Sequence, residues 1–422
     1  MKKLLKYFLT YIITLGTLLL LQNLVLRIPN NLIEKNIKES TQYLLTQEDR
    51  PTLIKNKNEY IVESTRIDNY TDSLTLNMIW NNTNKTQIQM NYYYDGNSGI
   101  NSLNGTINNN QKSNTEYSRY YQGQIIFTKL LLIFFNIKEI RIINYIVITM
   151  LTIYLTYILF KKSKKLAICL LLGLISINIF LVPTTIQFTN TFFIMLIISI
   201  ITIKTIKKDN SFFYQLMIVS GILTNFMDFL TTETLTLTIP LLIRIYLKNK
   251  SKKKLKVKDE LLFILKSYLS WGISYILSFI IKWLMSVCIY GIKEVTNIWN
   301  KAKIRIYDIP SNNKITYILG TILKSISLLL PFSLFSISPV ISIIMLMFTV
   351  WLFIFNLSKK RQKLFALLFI ISLVPIIRFA ILHAHTAVHI YFTYRGLLPT
   401  ITLVLLILYE GLIKKIIKSF HN

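Results

Sequence analysis

Cysteine and histidine are scarce in this chain. Only two of its 422 residues are cysteine, Cys169 and Cys288, and both lie within apolar runs. A disulfide framework and a cysteine-based metal site are therefore not expected, and the two thiols are interpreted as core or lipid-facing groups. Histidine occurs four times, and three of the four copies fall within residues 383–389.

Acidic residues are also few. The chain has 19 of them against 48 lysines and arginines, which gives a formal net charge of +29. Such a charge, taken alone, is typical of nucleic-acid-binding proteins. Here the lysines form short runs between apolar stretches, and this is the arrangement that orients helices in a membrane. We therefore expect no nucleic-acid partner.

Long apolar stretches are abundant. With 53% hydrophobic residues and a mean hydropathy of +0.48, the composition predicts an all-α, polytopic membrane protein. A bilayer span needs about 17–25 mostly apolar residues. Ten spans are predicted, near residues 5–27, 139–160, 166–183, 190–206, 211–229, 234–247, 261–290, 334–357, 364–382 and 397–413. No small-residue cleavage site follows the first span, so it is interpreted as an uncleaved helix rather than a signal peptide.

Basic runs support this arrangement. They lie at residues 2–6, 161–165, 204–208, 248–258, 359–363 and 414–418. If ten spans alternate in direction, every one of these runs falls on the same side. The positive-inside rule then predicts a multi-pass protein of the cell membrane with both termini cytoplasmic.

Two long segments are predicted on the outer side, after a first transmembrane helix at residues 1–27. The first is an extracytoplasmic loop, residues 28–138, and a multi-helix transmembrane domain follows at 139–422 with the second outside segment at 291–333. In the loop, "NNTNKT" and "NSLNGTINNNQKSN" are typical of turns or low-complexity sequence. Its middle part is predicted to be helical. "GQIIFTKLLLIFF" (123–135) is predicted to be interfacial or re-entrant, and the second outside segment is predicted to be interfacial.

Four carboxylates are candidate functional groups. Asp68 and Asp72 lie four residues apart, so they share one face if the segment is helical, and one of them could take a proton from an acceptor hydroxyl. An Asx turn followed by a helix N-cap is the structural alternative. Asp228 and Glu233 lie at the outer junction of the fifth and sixth predicted spans, where a carboxylate must be paired or hydrated.

Two cations lie inside predicted spans. Lys282, towards the outer end of the seventh span, must meet an anionic headgroup or an acid, or extend to the membrane surface. Arg378 in the ninth span likewise needs a partner or a function, because the membrane interior does not tolerate a lone guanidinium.

The histidine cluster has three interpretations, of which the first is a metal site. On a helix His385 and His389 share a face, whereas His383 does not. Two histidines with this spacing can ligate zinc, but a third ligand would have to come from Asp68 or Asp228. A divalent metal is therefore a candidate cofactor.

The second interpretation is a phosphate site, and the third is an aromatic belt. Together with Tyr394 and the forked guanidinium of Arg395, the histidines could neutralise a phosphate or diphosphate. A belt at headgroup level accounts for Tyr391, Phe392 and Tyr394 but not for three histidines.

The chain resembles a group of uncharacterised polytopic membrane proteins of low-GC Gram-positive bacteria. The similar segments are "DNYTDSLTLN" (68–77), "YSRYYQG" (117–123), "QFTNTFF" (187–193), "FMDFLTTETLTLTIPLL" (226–242) and "HAHTAVHIYFTYR" (383–395). The layout of the chain is one span, a long outside loop with two acids, a bundle, and a final outside turn rich in His and Arg. This layout also resembles that of the GT-C superfamily of membrane glycosyltransferases.

This resemblance implies a GT-C-like activity, in which a sugar passes from a polyprenyl-phosphate carrier to an envelope acceptor on the outer face. Asp68, or next Asp72, would be the base, although the two acids are not the adjacent pair of some GT-C families. Stabilisation of the leaving lipid phosphate falls to the cationic and polar residues Arg395, His385, His389, Tyr394 and Lys282. The supporting residues are Asp228, His383 and Arg378.

The implied partners are membrane lipids and a polyprenyl-phosphate-linked sugar. Two other functions fit the same features. A transporter or flippase of a lipid-linked envelope precursor would use the same cations, although no internal repeat is evident. A non-catalytic envelope assembly protein would depend instead on the surface of the 28–138 loop.

Overall fold

The computed structural model describes residues 2–86, 88–252, 254–307 and 313–419, with the backbone alone at 301, 307 and 413–419. Residues 308–312 of the second predicted outside segment, and the side chains of the basic run 414–418, therefore lie outside the described part.

Helix dominates the fold, as the composition predicts. The elements up to residue 162 are α1 (Lys2–Leu26), α2 (Glu34–Leu45), α3 (Glu59–Ser64), α4 (Asn69–Asn81), β1 (Asn91–Tyr92), α5 (Gly99–Ile107), β2 (Thr115–Glu116), α6 (Gln124–Leu131) and α7 (Ile137–Lys162). The remaining helices are α8 (Lys164–Ser176), α9 (Ile186–Lys204), α10 (Asn210–Met227), α11 (Leu235–Asn249), α12 (Val257–Tyr290), α13 (Lys293–Tyr307), α14 (Lys314–Ser327), α15 (Ser338–Phe355), α16 (Lys359–Ile381), α17 (His383–Val388), α18 (Ile390–Thr393) and α19 (Leu398–Ser419). Short 3₁₀ turns connect several of them, and β1 pairs antiparallel with β2.

Among the described residues, seven helical stretches are long and apolar enough to cross a membrane. They are α1, α7, α9, α12, α15, α16 and a stretch at Ile390–Leu412 that includes the start of α19. This supports a multi-pass membrane protein. The other three predicted spans coincide with α8, α10 and α11, of which α8 and α11 have only 13 and 15 residues. The count of ten spans thus remains a prediction.

The bundle is built around its most buried helices, α9 and α11. α10 packs along α12 at Gly221, where an added Cβ would lie 2.5 Å from the carbonyl oxygen of Trp271. Only glycine permits this approach of the two helices. The α1, α7 and α15 surfaces keep many large apolar side chains exposed, as lipid-facing helices do.

Basic runs converge at one end of the bundle, here called the basic end. Glu410 of α19 is buried there, 3.1 Å from Arg361 of α16 and 3.6 Å from Lys165 of α8. The ammonium group of Lys250 donates to the carbonyl oxygen of Lys162. These contacts place three of the predicted basic runs side by side.

Residues 28–136 form a compact lobe at the other end, with a second apolar core. "NSLNGTINNNQKSN" was expected to be loop, and this is wrong for its first half, which lies in α5. Ile100, Leu103 and Ile107 recur at helical spacing and are buried in the lobe core. The many polar residues between these positions obscure that pattern in the sequence.

An ion pair joins the lobe to the bundle. The guanidinium of Arg141, near the start of α7, donates to Asp72 Oδ2 at 2.7 Å. Asp72 Oδ1 accepts from the backbone N–H of Ile186 at the start of α9, at 2.9 Å. One carboxylate of α4 therefore contacts two bundle helices.

Candidate functional site

A cavity of about 140 Å³ lies between the lobe and the bundle. α4, the start of α9 and the 383–393 segment each contribute to its wall. Its polar and charged lining residues are Arg50, Asp68, Tyr70, Thr71, Thr75, Tyr117, Gln187, Arg305, His385 and His389. The structure thus brings together the two segments that sequence reasoning singled out, residues 60–80 and 383–395.

Asp68 is the only carboxylate among these lining residues, and its two oxygens have different tasks. Oδ1 caps α4 by accepting from the backbone N–H of Thr71 at 3.0 Å. Oδ2 accepts from the hydroxyl of Tyr391 at 2.8 Å. Burial raises the pKa of Asp68 above its usual range, although these hydrogen bonds and the charge of Arg50 oppose the shift. A carboxylate with a raised pKa is the better proton acceptor near neutral pH.

Two arginines contribute positive charge to the cavity. Arg50 lies over the Tyr70 ring at 5.2 Å, and Arg305 of α13 lies over the Tyr120 ring at 5.5 Å. Among the described residues, the buried Nη1 of Arg305 has no hydrogen-bond partner. Two guanidinium groups against one carboxylate leave the lining with a net positive charge, which suits an anion.

His385 and His389 lie side by side, with ring centroids 4.7 Å apart. Burial, followed by the charge of Arg378, lowers the pKa of His385 well below 6.5. Burial and the charge of Arg305 lower the pKa of His389 to about 4. Both imidazoles are therefore neutral at neutral pH, and each has one N–H donor and one acceptor nitrogen.

Arg378 determines which nitrogen of His385 carries the proton. Its Nη2 lies 3.3 Å from His385 Nδ1, and its Nε donates to Glu233 at 2.9 Å. A guanidinium can only donate, so Nδ1 must accept and the proton of the neutral ring must be on Nε2. Glu233, Arg378 and His385 form a chain that leads from the bundle interior to the cavity.

Several predicted site residues lie outside the cavity lining. Asp72 is held by Arg141, and desolvation raises its pKa to about 6 despite that partner. Asp228 accepts from the hydroxyl of Thr191 at 2.8 Å and from the hydroxyl and backbone N–H of Thr231. Both carboxylates hold segments of the chain together.

Arg395 and Tyr394 point into the bundle. Arg395 donates to the carbonyl oxygens of Ile177 and Tyr391, at 3.1 and 2.7 Å. The Tyr394 hydroxyl lies 3.2 Å from the same carbonyl of Ile177. Arg395 thus fixes the backbone of Tyr391, the residue that bonds Asp68, while its own guanidinium does not line the cavity.

Lys282 and His383 also lie elsewhere. Lys282 does not extend to the surface, because its side chain is fully buried with the ammonium group 5.5 Å from the Tyr121 ring centroid. His383 Nδ1 lies 3.1 Å from the carbonyl oxygen of Ala380, on a different face from the other two histidines. Its ring packs against Tyr317.

Metal ligation has no preformed site in the described part of the chain. No group of three histidine, cysteine, aspartate or glutamate side chains lies close enough together there to hold an ion. The histidine pair has arginines rather than carboxylates as its charged neighbours, and positive neighbours disfavour a divalent cation.

Comparison of the chain with profiles of known protein families, with curated proteins and with solved structures gave no match. Function must therefore be argued from the site itself.

A second cavity of about 190 Å³ shares Arg305 with the first. Its apolar wall includes Phe279 and Trp283 of α12 and Ile298, Ala302 and Ile306 of α13, and Arg119 lies with Arg305 among them. The neighbouring α12 residues Ile280 and Leu284 are exposed on the lipid-facing surface. The slot is thus an apolar space that lies beside two guanidinium groups.

Sequence reasoning missed Arg50, Arg305 and Gln187 as lining residues. Arg305 lies on an amphipathic helix whose spacing could have indicated that it faces the bundle. Gln187 stands within "QFTNTFF", an unusually polar start for an apolar span. No local pattern distinguishes Arg50.

Proposed function

We propose that the protein is an integral-membrane glycosyltransferase that transfers a sugar from a polyprenyl-phosphate carrier to an acceptor hydroxyl. The observation that carries the proposal is the shared cavity of Asp68, Arg50, Arg305, His385 and His389. A carboxylate beside cations and a neutral N–H donor is what transfer away from a phosphate requires.

The chemistry assigns one task to each group. Asp68 accepts the proton of the acceptor hydroxyl while the acceptor oxygen bonds to the anomeric carbon. The bond between that carbon and the phosphate oxygen breaks, and its electron pair leaves with the polyprenyl phosphate. Arg50 and Arg305 neutralise the charge that grows on the phosphate, and the Nε2–H of His385 donates a hydrogen bond to it.

The size of the cavities favours a lipid-linked donor. Pockets for complete small-molecule ligands usually measure about 300–1,000 Å³, so 140 Å³ admits only the reacting part of such a molecule. The slot beyond Arg305 then receives the first isoprene units. The donor phosphate would lie at Arg305, where the polar cavity and the apolar slot meet.

The test is turnover in liposomes that contain the purified protein, a panel of polyprenyl-phosphate-linked hexoses and an envelope extract as acceptor. We expect release of polyprenyl phosphate and a new glycosidic bond, and loss of both in Asp68→Asn. Glu48→Gln, an exposed acid of the same lobe, is the control and should turn over normally. Undiminished turnover in Asp68→Asn would refute the mechanism.

Binding is measured separately with farnesyl phosphate and inorganic phosphate. We expect farnesyl phosphate to raise the melting temperature of the protein. Arg305→Gln and Arg50→Gln should each lower the affinity for this ligand roughly tenfold, since a hydrogen bond to a charged group contributes about 1.5–3 kcal/mol. Arg27→Gln, an exposed arginine of the same end, should bind as wild type does. Transbilayer movement of a labelled lipid without any new glycosidic bond would favour a flippase instead.

A further inference from the structure

A cavity of about 780 Å³ lies at the basic end of the bundle, between α1, α10 and α12. Asn210, Ser211 and Tyr214, at the start of α10, form part of its floor, whereas Phe229, just past the end of that helix, lines the Asp68 cavity. α10 has 18 residues and so separates the two by about 27 Å. We call the cavity at the basic end the basic-end groove.

The mouth of the basic-end groove is polar and carries two cations. Lys3 of α1 and Lys266 of α12 stand on its two walls. One acid, Asp209, also lines the groove; it is the N-cap of α10, where its carboxylate accepts from the backbone N–H of Phe212 at 3.1 Å, and the two lysines outnumber it. Within the described residues neither lysine forms an ion pair with an acid. The mouth thus has charge available for an anion.

Deeper in the groove the walls are apolar and open to the bilayer. Leu4 and Phe8 of α1 are 73% and 61% exposed, and Leu269 and Ile273 of α12 are 50% and 60% exposed. α1 and α12 both pack against α10. Three side-chain hydrogen bonds link this part of α1 to α10 and α12, between Tyr7 and Ser211 at 2.9 Å, between Thr10 and Gln215 at 2.9 Å, and between Tyr11 and Ser278 at 3.0 Å.

We propose that the basic-end groove is a binding site for one anionic phospholipid. Its phosphate-bearing headgroup lies between Lys3 and Lys266, and an acyl chain lies along Phe8, Ile273 and Leu277. Basic pockets between membrane helices recognise anionic headgroups in this way, and the apolar walls match a lipid chain that a soluble anion lacks. The bound lipid bridges α1 and α12 and so stabilises the helix that leads into the lobe.

The first experiment measures binding by native mass spectrometry of the full-length protein in detergent. The probes are phosphatidylglycerol and phosphatidylcholine with identical acyl chains. We expect wild type to retain one molecule of phosphatidylglycerol in preference to phosphatidylcholine. Lys3→Gln and Lys266→Gln should each lower the affinity for phosphatidylglycerol roughly fivefold, which is the contribution of one lysine near an anionic headgroup. Lys360→Gln, an exposed lysine of the basic end that does not line the groove, is the control.

The second experiment blocks the groove without changing its charge. Ile273→Trp should exclude the bound phosphatidylglycerol, whereas Ile276→Trp, on an exposed position of the same helix outside the lining, should not. Equal retention of both lipids by wild type, or an equal loss in Lys360→Gln, would overturn the proposal in favour of unspecific attraction. Retention of the lipid by Ile273→Trp would overturn the assigned position of the chain.

Discussion

The position of one proton determines what His385 can do. Arg378 donates to Nδ1 of this ring, so Nε2 carries the hydrogen and acts as a donor. His383 is arranged the other way round, because a carbonyl oxygen can only accept and Nδ1 must therefore donate to Ala380. Two histidines only two residues apart thus adopt opposite tautomers.

Nitrogen NMR can read this arrangement directly, since the chain has only four histidines to label. At neutral pH we expect His385 as the Nε2–H form and His383 as the Nδ1–H form. Arg378→Gln should convert His385 to a mixture, because a glutamine can donate or accept, whereas Arg378→Lys should keep the Nε2–H form. His383 is the internal control and should stay unchanged in both variants. An Nδ1–H form of His385 in wild type would contradict the assignment.

His389 makes stability depend on pH. Its pKa is about 4 in the folded protein against an ordinary 6.5, so between these values the unfolded chain binds more protons. The free energy of unfolding therefore falls as pH falls from 6.5 towards 4, by at most roughly 3 kcal/mol for this group. We expect the melting temperature to drop less between pH 7 and pH 5 in His389→Gln than in wild type. Parallel curves for the two proteins would contradict this.

Individual residues differed in how far the sequence could specify them. Asp68 was expected both as a base and as a helix cap, and it occupies a capping position in the cavity wall. Arg395 was among the predicted phosphate ligands, yet its guanidinium donates to backbone carbonyl oxygens. A sequence indicates that a buried cation needs a partner, but it cannot indicate whether that partner is a ligand or a nearby carbonyl.

Helix packing rather than helix propensity sets the geometry at the element scale. α10 and α12 meet where Gly221 leaves space for the backbone of Trp271 and the side chain of Ser274. The apolar periodicity of both helices predicts that they form, but it does not reveal that a single missing Cβ fixes their separation.

Substitution of this glycine tests that interpretation. Gly221→Ala should lower stability by about 1–3 kcal/mol, because its methyl group must displace the backbone of α12. Gly272→Ala, in α12 with no atom within 4 Å of the added Cβ, should leave the protein as stable or slightly more so. Melting temperatures in detergent provide the comparison, and equal effects of the two changes would contradict it.

Length and hydropathy predict where most helices lie, α8 and α11 included, but they do not decide whether the short ones cross the membrane. α8 and α11 have only 13 and 15 residues, and α11 is buried along almost its whole length. α5 was missed because its apolar residues are separated by asparagine, serine and glycine. Each of these helices depends on tertiary contacts that a local window of sequence does not contain.

The whole molecule consists of a lobe and a bundle that are joined by many polar contacts. Asp72 is the one carboxylate described above that contacts two bundle helices, since it bonds Arg141 of α7 and the first turn of α9. Its full burial makes it costly to leave either partner alone.

Asp72→Asn should loosen the lobe without unfolding the bundle. We expect amide exchange in residues 28–136 to become roughly tenfold faster or more, as the loss of a buried pair costs several kcal/mol, while exchange in α9 beyond its first turn is unchanged. Hydrogen–deuterium exchange followed by mass spectrometry measures both regions at once. Glu48→Gln should behave as wild type, and uniform acceleration throughout the chain would argue against a separable lobe.

The hydrogen bond between Tyr391 and Asp68 joins residues 323 positions apart. This contact also bears on the order in which the site is assembled during synthesis. Asp68 and α4 are made long before the histidines and Tyr391. A chain that has not yet reached Tyr391 therefore has only part of the cavity wall. The candidate site can form only after residues 383–393 have packed against the lobe.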